Sequence, residues 1–538
     1  MNRTEAIKKL KNESFDLLVI GGGITGVGIA LDAQMRGLKT AVIEMQDFAS
    51  GTSSRSTKLI HGGLRYLKQF EFRLVNEVGR ERAIVHKIAP HLVHPDKMLL
   101  PLIKDGNYGY LLTNMGLSVY DFLAGVEGSD KKRMLNKAET EAMEPLLRKD
   151  ILEGGGYYAE YRTDDARLVM GIARTAWSKG TVLSNYVKLE SLNTEKGRIN
   201  GCVVKDLFAD EEFSIKAKQV VNATGPWVDG IREKDGSLEG KRLFLSKGIH
   251  LVVDHEKFPI RQTVYFDNED GRMVFAIPRG KTTYFGTTDT AYEADKEDPL
   301  VSKDDAEYAI NAVNYMFPDV RVSFDDIRSS WAGLRPLIHE DGKDPSQISR
   351  KDEIFESTSG LISIAGGKLT GYRKMAERVV DLVAKNHKNN LLTCQTESQK
   401  IIGGEFDNYQ EVQALVDKLF TEFPKLISNF YTAEYLVHNY GTAALEILRN
   451  ASEIKLDPKK AIVVAEVNYT CKNEMCMGAL DFFERRTGRV NFDTQEIAEV
   501  QEVALKALAN FLNWEKDESN QQEIDLVQTI RKVKLKLD

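Results

Sequence analysis

The sequence predicts an α/β protein with an N-terminal α/β part and a C-terminal part built of helices. Three observations support this fold class. A strand, a glycine-rich turn, a helix and a second strand follow one another between residues 15 and 44. Two further apolar strands, within residues 219–227 and 361–370, also end in glycine-containing turns. From about residue 390 the pattern changes to helical periodicity with charged faces, as in residues 409–420 and 494–512.

The bulk composition limits the size and class of the protein. A chain of 538 residues exceeds what one hydrophobic core usually holds, so we expect two or three domains. With 42% hydrophobic and 28% charged residues, the composition is typical of a globular protein. The net charge of -7, with lysines and arginines spread along the chain, argues against binding of nucleic acid, which needs a basic face.

Cysteines and apolar runs bear on location. The four cysteines are few and scattered, which favours a reducing cytoplasm over a disulfide framework. We find no secretory signal and no apolar run of the roughly 18 residues that a spanning helix needs. The stretch 108–125 is apolar enough to lie on a bilayer. We expect a cytoplasmic protein attached peripherally to the cytoplasmic membrane, although a helix packed on its own protein explains this stretch equally well.

Residues 15–44 carry the pattern of a dinucleotide-binding unit. The apolar strand 15–20 runs directly into Gly21, Gly23 and Gly26, spaced as G-x-G-x-x-G. These glycines allow a tight turn, close approach of a pyrophosphate, and close packing of the helix on the strand. The pyrophosphate rests at the helix N-terminus, which favours negative charge. Glu44 ends the second strand, where a carboxylate takes the ribose hydroxyls, so this unit predicts FAD or NAD without a 2′-phosphate.

Two later segments favour FAD over NAD. Residues 219–227 form a strand and a small-residue turn that, paired with the first motif, resemble the two-part signature of FAD enzymes of the glutathione-reductase type. In this turn we expect cofactor contacts from Ala223, Gly225 and Trp227. The other segment, residues 361–370, is not a P-loop, because Leu369 stands where a serine or threonine hydroxyl should bind Mg²⁺. Its backbone N–H groups would instead stabilise reduced flavin. The expected contacts here are Gly366, Gly367, Lys368, Leu369 and Thr370.

A family resemblance emerges between these segments. The string STKLIHGGLRYL at residues 56–67, followed by EFRLV at 71–75, closely resembles the aerobic, respiratory FAD-dependent glycerol-3-phosphate dehydrogenases of bacteria and mitochondria. Further landmarks of this family follow in its order: VNATGPWV at 221–228, KGIHLVV at 247–253, FGTTD at 285–289, GLRPL at 333–337 and GGKLT at 366–370. The likeness therefore covers most of the chain.

The resemblance implies a specific architecture. It implies an FAD-binding Rossmann-like domain of the glutathione-reductase and D-amino-acid-oxidase type, an antiparallel sheet that caps the substrate, and a C-terminal all-α cap. We expect the FAD-binding domain over residues 1–390, with the substrate-binding sheet interleaved at roughly 70–160 and 240–345. The helical domain is expected over residues 391–538.

The resemblance also implies the reaction and the residues that serve it. The family oxidises glycerol 3-phosphate to dihydroxyacetone phosphate by hydride transfer to FAD, and a membrane quinone is the expected electron acceptor. Arginine suits a phosphate dianion, because its planar fork can donate two hydrogen bonds. We expect the substrate to contact Arg65, Tyr66, Arg335 and Lys368. Within residues 52–67 the expected cofactor contacts are Ser53, Ser54, Lys58 and His61.

The base that takes the hydroxyl proton is open between two histidines. Imidazole has the unperturbed pKa nearest working pH. His250 is our candidate for the base and His61 for support of the flavin site, although the opposite assignment fits the sequence too. A positive Arg335 beside the hydroxyl could lower the hydroxyl pKa and lessen the need for any base.

Other functions compete with this one. A glycerol-3-phosphate oxidase would use O₂ and release H₂O₂, and a non-catalytic FAD-binding membrane scaffold would bind flavin that the substrate cannot reduce. An amino-acid or sarcosine-type oxidase is not expected to carry the string that contains His61. Prolines interrupt the segment holding His86, His91 and His94, so we expect no metal. The expected partners are glycerol 3-phosphate, a quinone, the membrane surface and a second copy in a homodimer, and not nucleic acid.

Overall fold

The computed structural model describes residues 1–61, 72–124, 131–340, 351–387 and 391–535. The strands of these residues are β1 (Ser14–Ile20), β2 (Thr40–Ile43), β3 (Leu59–Ile60), β4 (Val93–Ile103), β5 (Arg133–Asn136), β6 (Leu152–Thr163), β7 (Val182–Ser184), β8 (Val187–Glu195), β9 (Arg198–Asp206), β10 (Glu211–Asn222), β11 (Lys241–Asp254), β12 (Thr263–Asp267), β13 (Met273–Arg279), β14 (Thr282–Gly286), β15 (Thr290–Ala291), β16 (Ile327–Glu340), β17 (Glu353–Glu356) and β18 (Ile362–Ala365). They form two sheets.

Helices surround these sheets. In the part before residue 390 they are Arg3–Asn12, Ile24–Met35, Phe72–Ile88, Tyr110–Ala124, Lys137–Met143, Asp165–Ser178, Val228–Lys234, Lys303–Met316 and Tyr372–Asn386. After residue 390 they are Tyr409–Glu422, Phe430–Tyr440, Ala444–Ser452, Pro458–Glu474, the π-helix Asp481–Arg486, Arg489–Phe492, Thr494–Leu512 and Lys516–Val533. None of the helices in the described ranges has the length and apolar character needed to span a membrane.

The first sheet has the order β17-β18-β10-β1-β2-β7, and β9 and β8 extend it beyond β10. The pairs β18–β10, β10–β1, β1–β2 and β2–β7 are parallel. Their apolar sequences are explained by burial, since β2 and β18 are buried along their whole length. Parallel strands end at the same edge of a sheet. The three glycine-containing turns after β1, β10 and β18 therefore meet there.

The second sheet has the order β15-β11-β14-β13-β12-β4-β6-β3, with β16 on β11 and β5 on β6. The predicted antiparallel sheet is confirmed with one correction, because β4 and β12 pair in parallel. The reason lies in the chain path. Strands β3 to β6 and strands β11 to β16 form two antiparallel blocks, and the pair between the blocks is free to take either direction. The helix Lys303–Met316 buries one face of this sheet in a shared apolar core.

The C-terminal part is helical within residues 391–535, as the sequence predicts. Two apolar cores hold it together, one around the helices Tyr409–Glu422 to Pro458–Glu474 and one around the helix Thr494–Leu512. Cys471 and Cys476 pack in the second core. Residues 391–408 contain neither helix nor strand. The domain boundary at 390 and the spans 70–160 and 240–345 stay predictions.

Candidate active site

A cavity of about 930 Å³ lies where the three glycine turns of the first sheet face the second sheet. Most residues that the sequence predicts for the site line this cavity. They are Gly21, Gly23, Glu44, Ser53, His61, Ala223, Gly225, Trp227, His250, Arg335, Gly366, Gly367, Lys368, Leu369 and Thr370. The predicted substrate residues Arg65 and Tyr66 lie outside the described residues.

The first glycine turn has no room for side chains at two of its glycines. Gly21 has a φ of +113°, and a Cβ there would lie 2.5 Å from the Ala223 carbonyl oxygen. A Cβ on Gly26 would lie 1.9 Å from the Gly21 carbonyl oxygen, so this glycine lets the helix pack on the turn and does not line the cavity. The first bond within the helix Ile24–Met35 runs from Val27 N–H to the Gly23 carbonyl. The helix N-terminus is thus directed at the cavity, as anion binding requires.

Ser53 and Glu44 complete the border of this turn. Ser53 Oγ accepts a hydrogen bond of 3.0 Å from Ile24 N–H. The Glu44 carboxylate accepts bonds from Gly22 N–H at 2.7 Å and from Gln46 N–H at 2.9 Å. Burial raises the pKa of Glu44, and these backbone bonds oppose the rise. Each carboxylate oxygen can accept more than one bond, so the predicted contact with ribose hydroxyls is compatible with these bonds.

Besides Gly26, two other predicted cofactor residues do not line the cavity. Lys58 is buried, and its Nζ donates to Asp165 Oδ1 at 2.5 Å and to the Ser54 carbonyl at 3.1 Å. Ser54 Oγ donates a long bond of 3.4 Å to the Gly51 carbonyl. Both side chains support the loop 51–58 on the side away from the cavity. Direct contact with the cofactor stays a prediction for each, and the geometry favours a supporting role.

Two aromatic rings, Trp331 and Tyr284, and the threonine Thr57 hold His250 in place. Its ring stacks on Trp331 with 4.9 Å between centroids, and its Nε2 lies 3.0 Å from Thr57 Oγ1. Its buried Nδ1 has no hydrogen-bond partner among the described residues. Burial, together with the charges of Arg335 and Lys58, lowers the pKa of His250 to about 3. The imidazole is therefore neutral at neutral pH and has an unprotonated nitrogen.

His61 occupies a similar environment. Its ring meets Phe275 edge to face, with 5.8 Å between centroids. Burial and the charges of Lys368 and Arg82 lower the pKa of His61 to about 3. Both histidines line the cavity as neutral rings, so the geometry and charge of the free protein are compatible with either of them as the base.

Arg335 is held in a fixed orientation at the cavity wall. Its Nη1 donates to the Thr288 carbonyl at 2.9 Å, and its Nη2 donates to Thr287 Oγ1 at 2.8 Å. Asp289 lies 3.4 Å from Nη1, and the side chain remains 30% exposed. Lys368 lines the cavity just before the turn Leu369–Gly371. The cavity therefore has two positive side chains at positions that the sequence assigns to the substrate.

Sequence reasoning missed several residues that line or shape the site. The cations Arg55, Arg272 and Lys296 also border the cavity. Thr57 and Trp331 orient His250, although Thr57 lies in the string 56–67 and Trp331 stands two residues before GLRPL. Only their place near recognised motifs could have suggested them. Their contacts depend on tertiary structure that no spacing shows.

The residues present fit FAD. The cavity combines a helix N-terminus for pyrophosphate, glycines that leave room for close approach, and a carboxylate at the end of β2. The same cavity extends along the turns after β10 and β18 to the histidines of the second sheet. The geometry therefore suits an extended dinucleotide in the same cavity as His250, His61 and Arg335.

Comparisons with known proteins show the family of this chain. A model of the FAD-dependent oxidoreductase family matches residues 16–373, and a model of the C-terminal domain of alpha-glycerophosphate oxidase matches residues 394–519. Aerobic glycerol-3-phosphate dehydrogenases from Staphylococcus haemolyticus and Bacillus subtilis are each 48% identical to the chain. The alignments cover 97% and 98% of this chain and 95% and 96% of those relatives, respectively.

A solved structure gives the same result. The glycerol-3-phosphate dehydrogenase from Bacillus halodurans, complexed with FAD, is 44% identical and superposes with a TM-score of 0.85. The match covers 99% of this chain and 97% of that protein. These findings confirm the predicted fold class and FAD as the cofactor. The chain therefore belongs to the FAD-dependent, aerobic glycerol-3-phosphate dehydrogenase family and is an FAD-dependent oxidoreductase.

Proposed function

We propose that the protein oxidises sn-glycerol 3-phosphate to dihydroxyacetone phosphate and passes the electrons to a membrane quinone. One observation carries the proposal: His250, His61, Arg335 and Lys368 line the same cavity as the glycine turns. The names of the relatives at 48% identity support the choice of substrate. The product follows from the chemistry, since removal of a hydride and a proton from the secondary alcohol gives the ketone.

Arg335 and Lys368 are the proposed binding groups for the substrate phosphate. A phosphate dianion needs cationic donors, and an arginine whose fork is already oriented loses little entropy when it binds. The bonds from Arg335 to Thr287 and Thr288 provide such an orientation. Arg65 and Tyr66 belong to the same proposal, although the structure does not describe them.

His250 is the proposed base. Bound FAD supplies the hydride acceptor, and the chain must take the proton from the substrate hydroxyl. A neutral imidazole can accept it, and the lowered pKa of His250 keeps the ring neutral in the free protein. The charge of Arg335 would also favour the alkoxide character of the hydroxyl oxygen. His61 remains the alternative base, because its ring is neutral for the same reason.

The experiment that tests the proposal is anaerobic addition of glycerol 3-phosphate to the purified flavoprotein. We expect the flavin absorbance near 450 nm to bleach with glycerol 3-phosphate and not with glycerol, lactate or sarcosine. A bound flavin that glycerol 3-phosphate fails to bleach would favour the scaffold interpretation. After bleaching, reoxidation by a soluble quinone without oxygen uptake supports the dehydrogenase, whereas rapid reoxidation by O₂ with release of H₂O₂ supports the oxidase.

Membrane attachment and dimer formation complete the proposal. The helix Tyr110–Ala124 supports attachment, because it exposes a row of apolar side chains next to a buried Leu117. Tyr110, Leu111, Leu112 and Met115 are exposed by 48%, 76%, 57% and 68%, respectively. Such a surface would enter the interface of a bilayer where a quinone resides. The homodimer rests on the family resemblance.

A further inference from the structure

The C-terminal helices reach the nucleotide end of the cavity through two consecutive arginines. Arg485 and Arg486 end the π-helix Asp481–Arg486, and both contact Asp47 near the start of the chain. Arg486 donates to the Asp47 carboxylate from both terminal nitrogens, at 2.7 and 2.9 Å. Arg485 Nε donates to the same carboxylate at 2.7 Å. The Asp47 and Arg486 side chains are both fully buried.

Asp47 lies in the segment that wraps around the first glycine turn. Glu44, three residues before it, accepts a bond from Gly22 N–H. Ala49, two residues after it, donates from its N–H to the Gly22 carbonyl at 3.2 Å. The Phe48 ring packs so closely that a Cβ on Gly22 would lie 2.7 Å from it. Residues on both sides of Asp47 therefore hold Gly22, and a shift of Asp47 would move Glu44 and the turn together.

The two arginines stabilise the negative charge of the Asp47 carboxylate. Burial raises the pKa of Asp47, but the charges and hydrogen bonds of Arg486 and Arg485 outweigh burial and lower the pKa to about 2. Asn185 Nδ2 adds a neutral bond of 3.0 Å. If Arg486 is removed, a buried charge loses its bidentate partner, and it must either take up a proton or move toward water. Either response displaces the segment that carries Glu44.

The same charged cluster reaches the loop 51–58, which borders the turn after β1 through Ser53. The Glu474 carboxylate accepts two bonds from Arg167, at 2.6 and 2.9 Å, and the Glu474 carbonyl accepts a bond from Arg486 at 2.9 Å. Arg167 belongs to the helix Asp165–Ser178, whose Asp165 binds Lys58. The C-terminal helices are thus linked through buried charges to both loops that border the turn after β1.

We propose that Arg485 and Arg486 are positioning residues for the adenosine end of the FAD site. Through Asp47, the C-terminal helices hold Glu44 and Gly22 in the conformation that binds adenosine and pyrophosphate. The competing explanation is that the cluster only joins the helices to the rest of the chain. Both explanations predict a less stable protein after its removal, but only positioning predicts a weaker affinity for the adenosine part of the cofactor. The inference rests on FAD as the cofactor and needs no assumption about the substrate.

The test compares Arg486→Gln with a matched control, Arg489→Gln. Arg489 is buried in the same helical part and donates to Glu466 at 2.7 Å. Its other bonds go to Glu496 and Tyr435 and not to Asp47. Flavin is removed from each full-length protein, and calorimetry measures the melting temperature and the affinities for FAD and for ADP, which lacks the flavin. We expect Arg486→Gln to weaken both affinities by roughly tenfold or more, equivalent to about 1.4 kcal/mol.

The control separates positioning from stability. Arg489→Gln should lower the melting temperature while both affinities stay within about twofold of the original protein, less than 0.5 kcal/mol. If Arg486→Gln does not fold, the double variant Asp47→Asn/Arg486→Met removes both charges and leaves no buried carboxylate without a partner. It should fold and still bind FAD and ADP weakly. Original affinities in any folded variant without the Asp47–Arg486 pair would overturn the proposal.

Discussion

At the scale of single residues, the site combines neutral histidines with fixed cations. Burial explains the neutral state of both histidines, because it disfavours a charged imidazole unless a carboxylate lies close by, and the groups facing His250 and His61 are instead positive. In the proposed function, a neutral ring beside the substrate hydroxyl accepts a proton and the cations bind the phosphate. The division of roles between the two histidines is therefore a question for mutagenesis.

We predict that His250→Asn slows flavin reduction by glycerol 3-phosphate by about 10² to 10⁴-fold, the usual contribution of a general base. Asparagine keeps a polar side chain in the ring's place but cannot accept the proton. Stopped-flow absorbance at saturating substrate, without oxygen, measures the rate. His61→Asn should have a smaller effect, and His255→Asn serves as a control, because His255 does not line the cavity. If neither His250→Asn nor His61→Asn slows reduction, the histidine-base hypothesis is wrong.

The residues also show which contacts a sequence can predict. The glycines at 21, 23 and 26 are dictated by local backbone geometry, so their spacing alone identified the turn. Thr57 and His250 are 193 residues apart, and no local pattern could pair them. Lys58 was expected at the cofactor from its place in a family string. Its positive φ of +57° and its bond to Asp165 instead direct it behind the loop.

At the scale of elements, the parallel strands explain why three distant turns meet. Each apolar strand that ends in glycine was visible in the sequence, and parallel pairing brings their carboxyl ends to one edge. The full strand order was not predictable, because pairs such as β1–β10 and the parallel β4–β12 join segments more than a hundred residues apart. The helix Tyr110–Ala124 was recognised as apolar, but its exposed side could be identified only from the fold.

We predict that this helix binds membranes through its exposed apolar side chains. The double variant Leu111→Gln/Leu112→Gln should bind vesicles of phosphatidylglycerol and phosphatidylcholine at least several-fold more weakly, because buried apolar area drives interfacial binding. Co-sedimentation with the vesicles measures this. Leu392→Gln is the control, since Leu392 is 59% exposed but belongs to no described helix. Unchanged binding by the double variant would assign attachment to another surface and leave this helix without a membrane role.

At the scale of the whole molecule, five histidines with lowered pKa values couple folding to pH. His61, His91, His94, His250 and His438 all have a lowered pKa, mainly because of burial and then because of neighbouring positive charges. The unfolded chain binds protons at these residues below a pH of about 6.5. The native protein does so only at much lower pH, about 4 for His438 and about 3 for His61 and His250.

The sign of the effect follows from this difference. Between these pKa values the unfolded state holds more protons, so the free energy of unfolding falls as the pH falls, by up to about 1.4 kcal/mol per pH unit for each histidine. Carboxyls whose pKa burial raises, such as those of Glu44 and Glu81, act in the opposite direction. From pH 7 to 5.5 the histidines of the unfolded chain take up protons while its carboxyls remain ionised, so we expect the histidines to determine the sign in this window.

We predict that the melting temperature of the flavoprotein decreases steadily from pH 7 to pH 5.5, measured by scanning calorimetry at constant ionic strength. His438→Gln should reduce the steepness of this decrease, because it removes one of the five titrating groups. His438 does not line the cavity and stacks on His94 with 4.6 Å between centroids. Its effect therefore reports one lost proton and not a lost flavin contact. A melting temperature that is constant or rises over this window would contradict the neutral histidines on which the base proposed for His250 depends.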